Sequence, residues 1–389
     1  MRSRLVFPLI LAGAALVFVS CSGSGTVPSS TGSSANTQGA TSTKSSMPAP
    51  PYDWIEAPLR STNLQSTARR ALASNSVSTI PFWTDSFSFG GSTFPYAMVG
   101  TSPFSTPATT TVPSEIQPLT FVFANGLRID GVAPANGLAA SPVFHSAVFP
   151  TETGQFVDVM QRANFNLIGS TYHVRLGTPT VLPALTIKVP GRFGKAGIFS
   201  NRTVGLVDFN FMFNVIENVL AFRNFDPTTL PVLIVGDVFG YIPPSRDVKR
   251  TCCVGGFHFA QLQGTSGILT FAFAAYASPG LFRSGAQDIT GPSHEVIEWA
   301  DDPFINNVVP PWGSPTNPSV CINNLLEVGD PIEFFAPSTY PVTVNGTTYH
   351  PQDIAFFSWF ARQVPSIAVN GQYSYLTPEK LTAPPAACQ

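Results

Sequence analysis

His294-Glu295-Val296-Ile297-Glu298 is the segment whose residue types and spacing could do chemistry. On a helix, positions four apart lie one turn apart on the same face, so His294 and Glu298 can reach one metal ion. Glu295, next to the first ligand, is then placed to hold a water molecule and take its proton. This is the spacing of the zincin motif HExxH with a carboxylate in place of the second imidazole. A bound zinc ion lowers the pKa of its water to about 7 and polarises a scissile carbonyl. The alternative is an amphipathic helix with a solvated His/Glu face and Val296, Ile297 and Trp299 in the core.

The elements that must position these residues follow from hydrophobic periodicity. Gln287 to Ala300 predicts the helix carrying the motif, with Pro292 tolerable only in its first turn. Gln117 to Ile129 reads as strand, turn and strand around Asn125-Gly126. Gly154 to Asn164 and Val207 to Phe222 carry helical spacing, the second as a mostly buried helix. Val181 to Val189, Leu230 to Phe239 and Ile268 to Ala277 read as strands. Helices interleaved with strands predict an α+β or α/β domain around a mixed sheet. The stretch 51–114 is Pro-rich and weakly periodic, a lead-in that packs along the sheet, and 115–389 forms the body.

The order and spacing of several short motifs extend the pattern. Gly255-Gly256-Phe257-His258 precedes the strand at 268–277, and Ser293-His294-Glu295 is followed by Asp301-Asp302-Pro303 and by Glu327-Val328-Gly329-Asp330. Over roughly residues 250 to 332 this resembles secreted bacterial proteins distantly related to the plant EXORDIUM/phosphate-induced family. The resemblance implies a zincin-like fold and a common site, in a family that is extracellular and whose biochemical activity is unsettled.

A zinc site of this kind uses three protein ligands and an open position. Glu327 is the first choice for the third ligand: its offset from Glu298 is similar to that of the downstream glutamate in gluzincin-like proteases. Asp330 would then orient a ligand from behind. His258 is the other choice, because a histidine beside two glycines can approach a site closely. Zinc is the expected cofactor, but one imidazole among carboxylates is a harder donor set than an ordinary catalytic zinc site, which leaves calcium or no metal as alternatives. His145, His173 and His350 have no companion motif and read as structural or exposed.

The N-terminus predicts export. Arg2 and Arg4 precede an apolar run, Leu5 to Val19, which is short for a membrane-spanning helix of about 20 residues. That layout is a signal peptide covering 1–20. Phe18-Val19-Ser20-Cys21 resembles the lipobox of bacterial lipoproteins, with Phe18 where an aliphatic residue is usual. The resemblance implies cleavage before Cys21 and lipidation of it, with Ser22 similar to an outer-membrane sorting signal. Residues 22–50 are nearly all small or polar, with Lys44 the single charge, and predict a disordered tether. The globular part is then 51–389, anchored to the cell envelope through its lipid alone.

Composition bounds the rest. The chain is 44% hydrophobic and only 11% charged, with 20 basic against 22 acidic residues, which leaves no electrostatic footprint for nucleic acid. Export makes a disulfide between the Cys252/Cys253 pair and Cys321 or Cys388 the expectation. A thiolate metal site lacks CxxC spacing, and a Cys252-Cys253 nucleophile with His258 as base is the weaker reading. The sequence contains no GxSxG, GxxxxGK[ST] or GxGxxG motif. Two functions remain. One is a metal-dependent, peptidase-like hydrolase with Glu295 as general base, acting on a protein or polymer. The other is a non-catalytic surface lipoprotein using the scaffold to bind a polymer or partner.

Overall fold

A computed structural model describes residues 77–389, apart from short stretches at 167–170, 200–201, 244–251, 264–266, 378 and 389. The expected signal peptide, Cys21, the tether and the first part of the lead-in lie outside the described residues. No helix among the described residues is long and apolar enough to cross a membrane.

The architecture is mixed α+β and rich in strands. Its centre is a seven-stranded sheet. Five strands form its main path: Ser114–Phe123 (β1), Leu185–Val189 (β2), Leu230–Gly236 (β3), Gly256–Gln263 (β4) and Gly267–Tyr276 (β5). Their spatial order is β2-β1-β3-β5-β4. The first four of that order run parallel, and β4 pairs antiparallel with β5 at the edge of this path. β3 is buried at every position, as expected of a parallel strand covered on both faces.

The two faces of the sheet sort side chains with a period of two. Val232 and Ile234 enter one core with Val296, Ile297, Trp299 and Ala300. Leu233 and Val235 enter the other, with Met212, Ile216, Val219 and Leu220. The first core holds the helix Thr290–Asp301 and the second the helix Phe209–Arg223. On β5 the residues flanking Ala272 are Phe271 and Phe273, which fill the second core, while Ala272 faces the first. A small side chain there lets the motif helix lie close to the sheet. Trp299 Nε1 fixes that approach by donating to Thr270 Oγ1 at 2.9 Å.

Several expectations hold and several need correction. The helices at Phe156–Asn164 and Thr290–Asp301 lie where the periodicity put them, with Pro292 in the first turn of the second. Gly126 turns with positive φ between β1 and Arg128–Ile129. The apolar run after 230 is two strands, because Asp237 adopts φ 41° and Val238–Tyr241 leaves for a second, four-stranded sheet. The helix expected from Val207 begins at Phe209, since Asp208 ends a strand and caps the helix by accepting from Asn210 N and Phe211 N. That helix is not mostly buried: Phe222 is 72% exposed, and only one stripe enters the core. Val181 to Val189 is also divided, with Thr180–Val181 and β2 each pairing with β1.

The described part of the lead-in is a hairpin, Phe82–Phe89 with Ser92–Val99, turning at Gly90-Gly91 where both φ are positive. It belongs to the same core as the body. Trp83, Met98 and Val99 are buried there, and Asn307 bonds both backbone groups of Ala97, at 2.8 and 2.7 Å.

The disulfides differ from expectation. Cys252 and Cys253 are joined to each other within a buried strand, and Cys321 pairs with Cys388. The second bridge closes 67 residues and ties the chain's end to the strand Asn317–Leu325. Loop-closure entropy for that length is about 4 kcal/mol. Cys321→Ser with Cys388→Ser is expected to lower stability by roughly 2–4 kcal/mol in chemical denaturation, without altering the core.

Candidate metal centre

The motif helix is buried at every residue from Thr290 to Asp301. The solvated His/Glu face is therefore excluded. His294, Glu295 and Glu298 are each 0% exposed and meet residues from three other parts of the chain.

β4 contributes His258. Phe257 and Phe259 fill the second core, so strand alternation turns His258 toward the motif helix, opposite Ala272 in the register. Its Nδ1 lies 3.6 Å from Glu295 Oε2 and 3.7 Å from Glu298 Oε2. Its Nε2 lies 3.9 Å from Glu327 Oε2. The segment leading into the short helix Asp330–Glu333 contributes Glu327, Gly329 and Asp330. Glu298 Oε1 accepts from Gly329 N at 2.9 Å, which directs Oε2 inward, 3.0 Å from His294 Nε2. Asp330 Oδ1 stands 3.7 Å from the same nitrogen.

A residue without any motif sets the protonation of His294. The Gln352 amide donates through Nε2 to Gly329 O at 2.8 Å, so its oxygen faces His294 Nδ1 at 2.9 Å. An amide oxygen can only accept, so Nδ1 carries the hydrogen. Nε2 is therefore the nitrogen turned to the Glu298 and Asp330 carboxyl groups, as a second donor if the ring is protonated and as a lone pair if it is neutral. Holding the second nitrogen of a ligating histidine by such a bond is a recurrent device at metal sites.

The distances suit coordination. Donors each about 2.1 Å from one ion stand roughly 3.0–4.2 Å from one another, from a right-angle pair to a linear one. The pairs above span 3.0 to 3.9 Å. Two sets have their donor atoms within 4.8 Å of one another: His258, Glu295 and Glu298, and His294, Glu298 and Asp330.

The sequence-predicted site residues thus reach one cluster: the candidate ligands His258, His294, Glu298 and Glu327, the expected base Glu295 and the expected orienting group Asp330. Asp330 shares a donor set with His294 and Glu298, whereas Glu327 lies 3.9 Å from the far nitrogen of His258. The other histidines lie apart. His173 and His350 pair with Asp158 and Asp288, at 2.8 and 2.6 Å, and His145 is exposed.

Asp301 and Asp302 do not fold over the cluster. Asp301 accepts from Gln161 Nε2 at 3.0 Å, and burial pushes its carboxyl up to about 7 against that bond. Asp302 accepts from the backbone of Asn306 and Asn307, and burial raises it likewise to about 7. Both brace the end of the motif helix.

Two glycines lie directly against side chains of the cluster. A Cβ at Gly256 would stand 2.7 Å from Glu295 Cγ, and one at Gly329 would stand 2.5 Å from His294 Nδ1. Gly329→Ala must therefore displace the ring or the chain beside it. We expect it to weaken metal affinity about 10–100-fold, as loss of an orienting contact does. Competition with a chromophoric chelator measures this, with circular dichroism to confirm folding.

The whole cluster is buried. Glu327 and Asp330 are each 7% exposed and His258 4%, while the three helix residues are sealed. No protein-family model, curated protein or solved structure matches this chain. The function must be argued from the cluster itself.

Proposed function

We propose that the chain is an exported bacterial lipoprotein, anchored through Cys21, whose domain is a zincin-like metal-dependent hydrolase of peptidase type. The observation that carries the metal reading is the setting of His294: Gln352 holds Nδ1 as donor, so Nε2 faces two carboxylates at 3.0 and 3.7 Å. The position of the antiparallel edge strand β4 beside the helix bearing HExxE favours the zincin-like reading. Two imidazoles in the cluster favour zinc, manganese or iron(II) over calcium, which prefers oxygen donors alone. His294, Glu298 and Asp330 would hold the ion, with His258 close by.

A divalent cation bound there would supply Lewis-acid polarisation of the substrate carbonyl and raise the acidity of water. Glu295 takes a proton from the attacking water as its oxygen bonds to the carbonyl carbon. It returns that proton to the amine as the carbon–nitrogen bond breaks, so the enzyme ends unchanged. Substrate would have to reach the cluster past Glu327 and Asp330, which are themselves buried at 7% exposure.

A second reading, a structural metal centre in a non-catalytic envelope protein, has one observation in its favour: His294, Glu295 and Glu298 are fully buried. Metal analysis combined with a peptide-hydrolysis screen of the wild type and Glu295→Gln separates the two. Hydrolysis that depends on metal and on Glu295 supports the enzyme. Tightly held metal whose removal only unfolds the protein, with no hydrolysis, supports the structural centre.

A further inference from the structure

The donors do not form one ring around one point. They divide into two sets of three that come from different directions and share one residue. His294 and Asp330 approach Glu298 from the side of Gly329, and His258 approaches it with Glu295 from the sheet edge. The shared atom is Glu298 Oε2, 3.0 Å from His294 Nε2 and 3.7 Å from His258 Nδ1, while Oε1 is held by the Gly329 amide. Each set has its own glycine against a ligand, Gly329 against His294 and Gly256 against Glu295.

We propose that the cluster binds two divalent cations bridged by Glu298, one held with His294 and Asp330, the other with His258 and Glu295. The proposal rests on the metal reading above and adds a second ion to it. Each set offers one imidazole and two carboxylates, which suits zinc, manganese or iron(II). Two cations sharing a bridging carboxylate oxygen sit roughly 3.5–4 Å apart, the spacing of two-metal hydrolytic sites. Glu327 then places a carboxylate 3.9 Å from the outer nitrogen of His258, the side of the ring on which Gln352 bonds His294. One role changes: Glu295 would be a ligand of the second ion, and the two cations would lower the pKa of water enough for it to lose its proton to solvent, which would supply the proton to the leaving amine.

The test is metal stoichiometry, which needs no substrate. The full chain is stripped with chelator, loaded with manganese(II), freed of excess and analysed by plasma mass spectrometry and electron paramagnetic resonance. Two equivalents per chain with an exchange-coupled spectrum are expected. His258→Ala and His294→Ala should each retain one equivalent and show an uncoupled spectrum. If His258→Ala does not fold, Glu295→Gln addresses the same half. A single equivalent in the wild type overturns the proposal and leaves the one-metal centre standing. No bound metal in the wild type, after loading with manganese and separately with zinc, overturns both.

Discussion

Glu295→Gln is expected to lower metal-dependent hydrolysis by about 10²–10⁴-fold, the range that a positioned general base contributes. The substitution keeps the size and the hydrogen-bonding shape of the side chain, so the sealed helix and the Gly256 approach should persist. The melting temperature is expected to change little. The ion held by His294, Glu298 and Asp330 should remain, because Glu295 is not in that set. Metal analysis of the variant therefore carries a second result. A single-ion centre keeps its full content, whereas a bridged pair falls from two equivalents towards one. Full hydrolysis in Glu295→Gln would remove the residue from the chemistry altogether.

His294→Ala is the more severe change. The ring joins Gln352, Glu298 and Asp330, and all of these are buried. Removing one partner of a buried charged network typically destabilises by about 3–5 kcal/mol, because the remaining groups keep their desolvation penalty. We expect loss of the ion at that set, loss of hydrolysis and a lower denaturation midpoint in the same variant. His350→Ala is the control. It breaks an Asp–His contact of 2.6 Å at the start of the motif helix and leaves the donor set intact. Its metal content should match the wild type.

How much of this could be read from the chain depends on the kind of signal. The motif helix was legible because His294 and Glu298 stand one turn apart and Val296, Ile297 and Trp299 mark a core face. Glu327 was legible as a candidate from its offset beyond Glu298, and Asp330 from its place three residues further on. Which of them joins His294 was not, since a spacing in sequence does not say which carboxylate a turn directs inward. β4 has no counterpart among the strands expected from the sequence, although Phe257 and Phe259 alternate about His258. Its consequence was visible only in part: His258 appeared as a second choice of ligand, whereas the strand places it against both helix glutamates.

Gln352 carried no signal at all. It lies 58 residues beyond His294, and an isolated glutamine has no spacing to interpret until the backbone of Gly329 orients its amide. The division of the 230–241 run had a local cause, the left-handed conformation of Asp237, which Ser278 secures with bonds to both carboxylate oxygens at 2.6 and 2.7 Å. Aspartate tolerates that conformation better than most residues, so the Gly236-Asp237 step was the available clue. The pairing of cysteines could not have been derived, because four cysteines allow three arrangements and sequence alone does not choose among them.

The central claim is that the His294 cluster holds a divalent cation. Its most direct test is the metal content of the purified chain, prepared without added metal and without affinity-tag histidines, measured by plasma mass spectrometry beside His294→Ala. The account predicts at least one equivalent of zinc, manganese or iron in the wild type, with that ion lost from the His294 set in the variant. A metal-free wild type that takes up no cation when offered one, and whose melting is unmoved by a chelator, would contradict it.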